Sequence, residues 1–169
     1  MKVCNEEVRR QDRTCTDEAA LLALLDRAEL MHVAMNDEPF PYMVPLSYGY
    51  EFVGDKLKFY FHGAAVGRKV GLWKKNEKVA FSIAEPGPVN FADDPVCRTG
   101  QDFLSILGQG LMRELPQQER HHAVEMIMRH YAHDNERTWT FPEVMLASMG
   151  IFEMEVVTMS AKRRHTPRV

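Results

Sequence analysis

Residues 57–62 read Leu-Lys-Phe-Tyr-Phe-His, so apolar side chains occupy every second position of this stretch. A period of two predicts a β-strand, because successive side chains of a strand point to opposite faces of the sheet. The turn-like Val-Gly-Asp-Lys of residues 53–56 precedes this strand, and residues 31–35 show the same alternation earlier in the chain. Residues 31–62 therefore predict a series of β-hairpins.

Further elements follow from the same patterns outside this stretch. Three more strands are predicted, at 79–83, at 103–110 with a bend at Gly108 and Gly110, and at 151–157. Helices are predicted at 17–28 behind an N-cap at Thr16, at 64–75, at 116–133 and at 141–147. Neighbouring strands predict an antiparallel sheet curled into a barrel with helices outside. The expected fold class is mainly β with outer helices, that is, α+β.

Inward-facing helix positions follow from the helical period. They are Val66, Val70 and Trp73 in the helix at 64–75, and Val124, Ile127, Met128 and Tyr131 in the helix at 116–133. We read three regions along the chain: an N-terminal arm at 1–15, one domain at 16–164 and a basic tail at 165–169. Residues 85–95 contain three prolines and predict a loop.

Composition limits the class of protein. The 169 residues carry a net charge of −3, which argues against a general nucleic-acid binder. No apolar run approaches the roughly 20 residues of a membrane span, and the first residues lack the apolar core of a secretory signal. The three cysteines, Cys4, Cys15 and Cys97, form no C-x-x-C pair. We therefore expect free thiols in a reducing cytoplasm, with neither membrane nor nucleic acid as a partner.

The segment from Gly63 to Lys69 is the strongest candidate for binding chemistry. A strand ends, a glycine opens a helix, and the adjacent cations Arg68 and Lys69 lie in its first turns. The N-terminus of a helix attracts anions, so two cations there are unfavourable without a counter-anion. A phosphate would supply it, with Arg68 binding through two N–H groups and Lys69 as a point charge. The residues alone leave open that both are simply solvated.

An ordered set of short motifs resembles one known family. It comprises Asp12-Arg13, Ala34-Met35-Asn36, Pro41 to Glu51 (PYMVPLSYGYE), Leu57 to Gly63, Gly67-Arg68-Lys69, Met128 to Tyr131 (MRHY) and Lys162-Arg163-Arg164. The chain resembles the FMN-binding split-barrel family related to pyridoxamine 5'-phosphate oxidase, in particular the branch of the 5-nitroimidazole-resistance reductases. The resemblance spans roughly residues 10–164.

The resemblance implies an antiparallel split β-barrel with FMN bound at a homodimer interface. It places the strand Pro41 to Ser47 along the flavin ring, Phe61 and His62 beside the ribityl chain and phosphate, and Arg68 and Lys69 on the phosphate. The implied cofactor-binding residues are Met43, Val44, Pro45, Leu46, Ser47, Phe61, His62, Gly63, Arg68, Lys69 and Ser105. Two positions depart from the family pattern: the approach to Ser105, and Ala161-Lys162 where the family has Gly-Lys. The departures bear on substrate specificity.

The implied function is that of an FMN-dependent oxidoreductase. It would take electrons from a reduced nicotinamide or another donor and reduce a small acceptor such as a nitroaromatic, with no residue assigned as general acid or base. The alternative is a flavin-binding or haem-binding sensor or storage module without turnover. We read the histidines at 121, 122, 130 and 133 as surface residues rather than metal ligands, since no metal-ligand spacing is present. Trp139 is read as a peripheral core residue or a cover over the partner's flavin.

Overall fold

The computed structural model describes residues 8–133 and 136–165. Cys4, the first part of the predicted N-terminal arm and the tail from residue 166 onwards lie outside the described residues. Within the described ranges the helices are α1 (Glu18–Arg27), α2 (Arg68–Lys75), α3 (Gln117–Ala132) and α4 (Glu143–Ser148). The strands are β1 (Met31–Met35), β2 (Tyr42–Leu46), β3 (Gly49–Val53), β4 (Lys56–Ala64), β5 (Lys78–Asn90), β6 (Gly100–Glu114) and β7 (Met149–Arg164). No helix in this part of the chain is long and apolar enough to cross a membrane.

The seven strands form one sheet in the order β2-β1-β5-β6-β7-β4-β3. Every pair of neighbours is antiparallel. The sheet curls into a split barrel rather than closing, since β2 and β3 are its two edges. The predicted α+β class, an antiparallel split barrel with outer helices, is confirmed.

Two apolar clusters stabilise the domain by removing side chains from water. The larger one lies inside the curled sheet and is closed by α1 and α2; its largest members include Tyr48, Phe59, Phe61, Phe81 and Trp73. The smaller one lies between α3, α4 and the opposite face of β4 and β7, with Tyr60, Ile127 and Leu146 among its members. Helices α3 and α4 therefore cover the apolar side chains on the outer face of β4 and β7.

Strand β4 is longer than predicted. Gly63 does not break it, because Gly63 pairs with Gly150 of β7 and the ladder continues to Ala64. Helix α2 consequently begins at Arg68 and not at Ala64, with Gly67 as its N-cap. Val66 lies before the helix and is exposed, whereas Val70 and Trp73 are buried as predicted.

Strands β5 and β7 also extend beyond their predicted ends. The expected loop at 85–95 is strand as far as Asn90, because the β5–β6 hairpin continues past Pro86 after a register shift. The basic residues 162–164 belong to β7, and Ala161 before them is buried and paired with Ile106. The β6–β7 ladder shifts register between Gln109 and Gly110, next to the bend predicted for β6, and this shift leaves Val157 as an extra residue in β7.

Two further predictions are wrong: the N-cap of α1 and part of the inward face of α3. Asp17, not Thr16, caps α1, since its side chain accepts a hydrogen bond from the Ala20 amide. On α3, Val124 and Ile127 face inward as predicted, but Met128 and Tyr131 are more than a third exposed. Ala123 takes the inward position instead.

Helix α3 lies close against β3 at Gly49. A Cβ atom at residue 49 would stand 2.4 Å from the backbone nitrogen of Ile127 and 2.5 Å from the carbonyl carbon of Met126. Real Cβ atoms do not approach backbone that closely, so this crossing of helix and strand requires glycine.

The guanidinium of Arg120 joins α3 to α4 and β7. Its Nε donates to the carbonyl of Leu115 at 3.0 Å, and its Nη1 donates to Leu146 at 2.8 Å and Met149 at 3.0 Å. Leu146 lies in the last turn of α4, whose carbonyl groups have no partner within the helix. Arg120 therefore supplies hydrogen-bond donors to carbonyl groups at the end of α4 and the start of β7.

Candidate functional site

The N-terminus of α2 is open to an anion. Gly67 has φ 130°, a conformation that glycine adopts readily, and no side chain caps the helix. The first intrahelical hydrogen bond runs from the Gly71 amide to the Gly67 carbonyl, so the amides of Arg68, Lys69 and Val70 precede it. These amides and the helix dipole favour negative charge.

Arg68 already has a carboxylate partner. Its Nε and Nη2 donate to the same oxygen of Asp37, at 2.9 and 2.6 Å, and its guanidinium carbon lies 4.6 Å from the centre of the Tyr42 ring. The hydrogen bond from Arg68 lowers the pKa of Asp37. Asp37 therefore supplies a counter-anion for Arg68 that the sequence analysis did not name. The role of Arg68 as a phosphate ligand stays a prediction.

The Asp37 contact fixes the guanidinium without using all of its donors. A guanidinium carries five N–H groups, and Asp37 accepts from the Nε edge. Both N–H groups of Nη1 are left, and the side chain is 62% exposed. Arg68 is thus oriented by Asp37 and Tyr42 and can still donate to a second acceptor.

Lys69 and Gly63 come together beside this helix end. The Lys69 Nζ lies 3.2 Å from the position that a Cβ on Gly63 would occupy. Lys69 makes no ion pair among the residues that the structure describes. His62, the neighbour of Gly63 on β4, is exposed. Three of the predicted cofactor-binding residues thus lie near one another at the start of α2: Gly63, Arg68 and Lys69.

The residues predicted to lie along a flavin ring differ in exposure. Met43 and Pro45 of β2 are exposed, and Val44 and Ser47 are half-buried. Leu46 and Phe61 are buried in the larger core, with Phe61 only 1% exposed. Those two side chains already pack in the interior, so only their backbone groups can meet a ligand.

Ser105 lies apart from the other predicted residues. It is buried on β6 and pairs with Ala84 of β5 and Lys162 of β7. Two strands, β1 and β5, separate β6 from β2 in the sheet. Within one chain, Ser105 therefore does not face the residues of β2.

A cavity of about 450 Å³ lies next to the start of α2, on the outer face of β1, β5 and β6. Apolar residues form most of its wall, among them Ala34, Pro41, Leu111 and Val157. Asn36, Lys78 and Gln109 supply the polar groups. None of the predicted site residues lines this cavity. Two of its lining residues, Asn36 and Pro41, are the sequence neighbours of Asp37 and Tyr42.

Two residues at this site were not predicted from the sequence as functional. From the sequence no role is assigned to Asp37, and Tyr42 is placed only within the strand along the flavin ring. A carboxylate within a turn followed by an aromatic residue is too common to be a signal. Both are recognised only once the fold brings the β1–β2 turn against α2.

The histidines and Trp139 show no metal-like arrangement. Among the described residues no group of three His, Cys, Asp or Glu side chains could hold a metal ion. His122 pairs with Glu51 at 2.8 Å, and His130 is half-buried against the Tyr48 ring. Trp139 is half-buried, with the Arg137 guanidinium 5.8 Å from its ring centre.

Comparison with known proteins defines the class to which this fold and site belong. A family model described as pyridoxamine 5'-phosphate oxidase matches residues 17–163. The match covers most of the chain, so the chain belongs to the pyridoxamine 5'-phosphate oxidase family. No curated protein sequence matches it.

Three solved structures share the fold at low sequence identity. A candidate 5-nitroimidazole antibiotic resistance protein from Bacteroides thetaiotaomicron VPI-5482 is 22% identical, with a TM-score of 0.74 over 89% of this chain and 86% of that chain. The flavocytochrome of Azotobacter vinelandii is 15% identical, with a TM-score of 0.76 over 95% and 73%. An FAD and heme binding protein from Mycobacterium smegmatis is 18% identical, with a TM-score of 0.74 over 93% and 76%.

Proposed function

We propose that this chain is a flavin-dependent oxidoreductase that binds FMN and reduces a small acceptor, with a nitroaromatic as one candidate. The observation that carries the proposal is the uncapped start of α2, where Arg68 is oriented by Asp37 and Lys69 is unpaired among the described residues. Family membership and solved structures named for flavin binding support it.

The residues present fit a flavin phosphate. A phosphate monoester needs N–H donors and positive charge, and the site offers the Nη1 of Arg68, the ammonium of Lys69 and the first amides of α2. When bound, FMN would supply two-electron transfer between a reduced nicotinamide donor and the acceptor. The chain's own contribution is to hold the phosphate and present β2, with Met43 and Pro45 exposed, beside the ring.

Cofactor binding is the direct test of this proposal. The full-length chain should take up FMN, seen as quenching of flavin fluorescence and as a rise in melting temperature, because a ligand that binds only the folded state stabilises it. Reduced nicotinamide should then bleach the flavin absorbance at a rate sufficient for turnover. FMN binding without bleaching by any donor would favour the sensor or storage alternative, and no FMN binding would contradict the proposed FMN-dependent oxidoreductase.

The assembly proposed is a cytoplasmic homodimer with two equivalent flavin sites. Apolar side chains on the outer face of the sheet remain uncovered in one chain, among them Met43, Leu107, Leu111 and Val157. Exposed apolar groups of this kind on a sheet mark an association surface. The free thiols of Cys15 and Cys97 are compatible with a reducing compartment.

A charge on this outer face should separate the subunits. Replacing Leu107 with glutamate is expected to convert a dimer of about 39 kDa, twice 19.5 kDa, into monomers, since like charges would meet in a desolvated interface. Light scattering at micromolar concentration measures this. Val144→Glu, at a more exposed apolar residue on α4, is the control and should leave the dimer intact. A wild-type monomer of 19.5 kDa with FMN present would contradict the assembly proposed.

A further inference from the structure

A second cationic cleft lies at the far end of the sheet. Its volume is about 350 Å³, and it lies between residues 85–88 and 102–104 of the β5–β6 hairpin and the end of β7. Three arginines and a histidine line it: Arg27, Arg163, Arg164 and His165. The chain as a whole carries a net charge of −3, so this concentration of cations runs against the overall charge.

Arg164 is the cation of this cleft that lacks a partner. It is half-buried, and no hydrogen bond or ion pair joins its guanidinium to another side chain or backbone group of the described residues. Its neighbours are neutralised, since Arg163 pairs with Asp17 at 3.0 Å and Arg27 pairs with Glu85. A half-buried charge without a counter-ion costs free energy unless a ligand supplies one.

The backbone of β6 makes room for this guanidinium. A Cβ atom on Gly100 would lie 1.6 Å from Nη1 of Arg164 and 2.0 Å from its Cζ. Gly100 does not have a positive φ, so its missing side chain serves space rather than backbone conformation. The guanidinium of Arg164 thus packs over the Cα atom of Gly100. The backbone of Arg164 pairs with Phe103 in the β6–β7 ladder.

The remaining groups of the cleft suit more than a bare phosphate. Pro86, Pro88 and Phe103 give it an apolar wall, on which a flat base can pack. The carboxylates of the cleft are already engaged, since Glu85 pairs with Arg27 and Asp102 lies 3.9 Å from the His165 ring. A nucleotide combines a phosphate, which suits Arg164, with a flat base, which suits the apolar wall.

We infer that this cleft binds the adenosine diphosphate moiety of a dinucleotide, with Arg164 on the phosphates and the apolar wall against adenine. Ser105 follows Phe103 by two residues on β6, about 7 Å along the strand, so the cleft adjoins a residue expected at the flavin. The inference extends the proposed function. The same moiety occurs in reduced nicotinamide dinucleotides and in FAD, and the experiment distinguishes these two sources.

ADP is the probe, because its binding can be measured by calorimetry on the full-length chain whether or not flavin binds. Arg164→Gln should weaken ADP binding by tenfold or more, as expected for a lost charge-assisted hydrogen bond. Gly100→Ala should weaken it at least fivefold with no change of charge, by displacing the guanidinium. The far end of a flexible side chain can move aside, so Gly100→Ala should keep its melting temperature within about 3 °C of wild type.

Arg98→Gln is the matched control. Arg98 is an exposed arginine two residues from Gly100, does not line the cleft, and should leave ADP affinity within twofold of wild type. Pyrophosphate should bind more weakly than ADP. A nicotinamide dinucleotide source predicts that Arg164→Gln weakens NADH binding but not FMN or FAD binding, whereas an FAD source predicts weaker FAD binding alone. Millimolar or weaker ADP binding to wild type, or equal affinity for all three variants, would overturn the inference even if FMN binds normally.

Discussion

Replacing Arg120 with leucine should lower the free energy of unfolding by about 3 kcal/mol, because three partly buried carbonyl groups lose a charged donor at once. The side chain is 13% exposed, so water cannot replace it without opening the α3–α4 contact. For a chain of this size, such a loss lowers the melting temperature by about 6–12 °C. Thermal unfolding at fixed protein concentration measures the effect.

Two further variants define the cause of this loss. Arg120→Lys keeps the charge but not the fork of donors, and should recover only part of the stability. Arg27→Leu is the matched control, since it breaks an exposed ion pair with Glu85 and should cost at most about 1 kcal/mol. Equal melting temperatures for Arg120→Leu and Arg27→Leu would show that Arg120 does not hold α4.

Arg68→Ala should weaken FMN binding by roughly ten- to a hundredfold and leave riboflavin binding nearly unchanged, because riboflavin lacks the phosphate. The loss should lie near the upper end of this range. Removing Arg68 leaves the Asp37 carboxylate without its cation, facing the incoming phosphate. Fluorescence titration of both ligands measures the difference, and higher ionic strength should narrow the gap between them.

The contact with Asp37 makes this experiment more specific. The double variant Arg68→Ala with Asp37→Asn removes both charges and should recover part of the FMN affinity. Lys69→Ala should lose less than Arg68→Ala, since a point charge on a flexible stem is more easily replaced by water or salt. If Arg68→Ala reduced FMN and riboflavin affinity equally, Arg68 would serve only to hold the β1–β2 turn, and the phosphate site would have to be sought elsewhere.

Strand periodicity predicted the antiparallel sheet well, because alternation is a local property of the sequence. The strand at 31–35 was located to the residue, and that at 57–62 lies within β4. Strand ends were predicted less well, because they depend on the partner strand. Gly63 stays in β4 only because Gly150 lies opposite, and the charged residues after Ala161 stay in β7 only because β6 pairs with them.

At the candidate site, too, features that depend on local sequence were predicted, and features that depend on distant segments were not. The two cations at the start of α2 were found from their position after glycine, and that placement holds although the helix begins later than expected. Asp37 and Ser105 could not be placed from the sequence. The first reaches Arg68 from 31 residues away, and the second lies two intervening strands from β2. Contacts of this kind arise from chain topology, to which residue patterns alone are insensitive.

The absence of a side chain at Gly49 also makes this position informative about related sequences. With alanine or any larger residue there, α3 could not keep its present distance from β3, since backbone would meet the added carbon at 2.4 Å. A related chain with a larger residue at this position must therefore hold its third helix farther out, or lack it. The identity of residue 49 therefore indicates, for each homologous sequence, whether α3 can pack against β3 at the distance seen here.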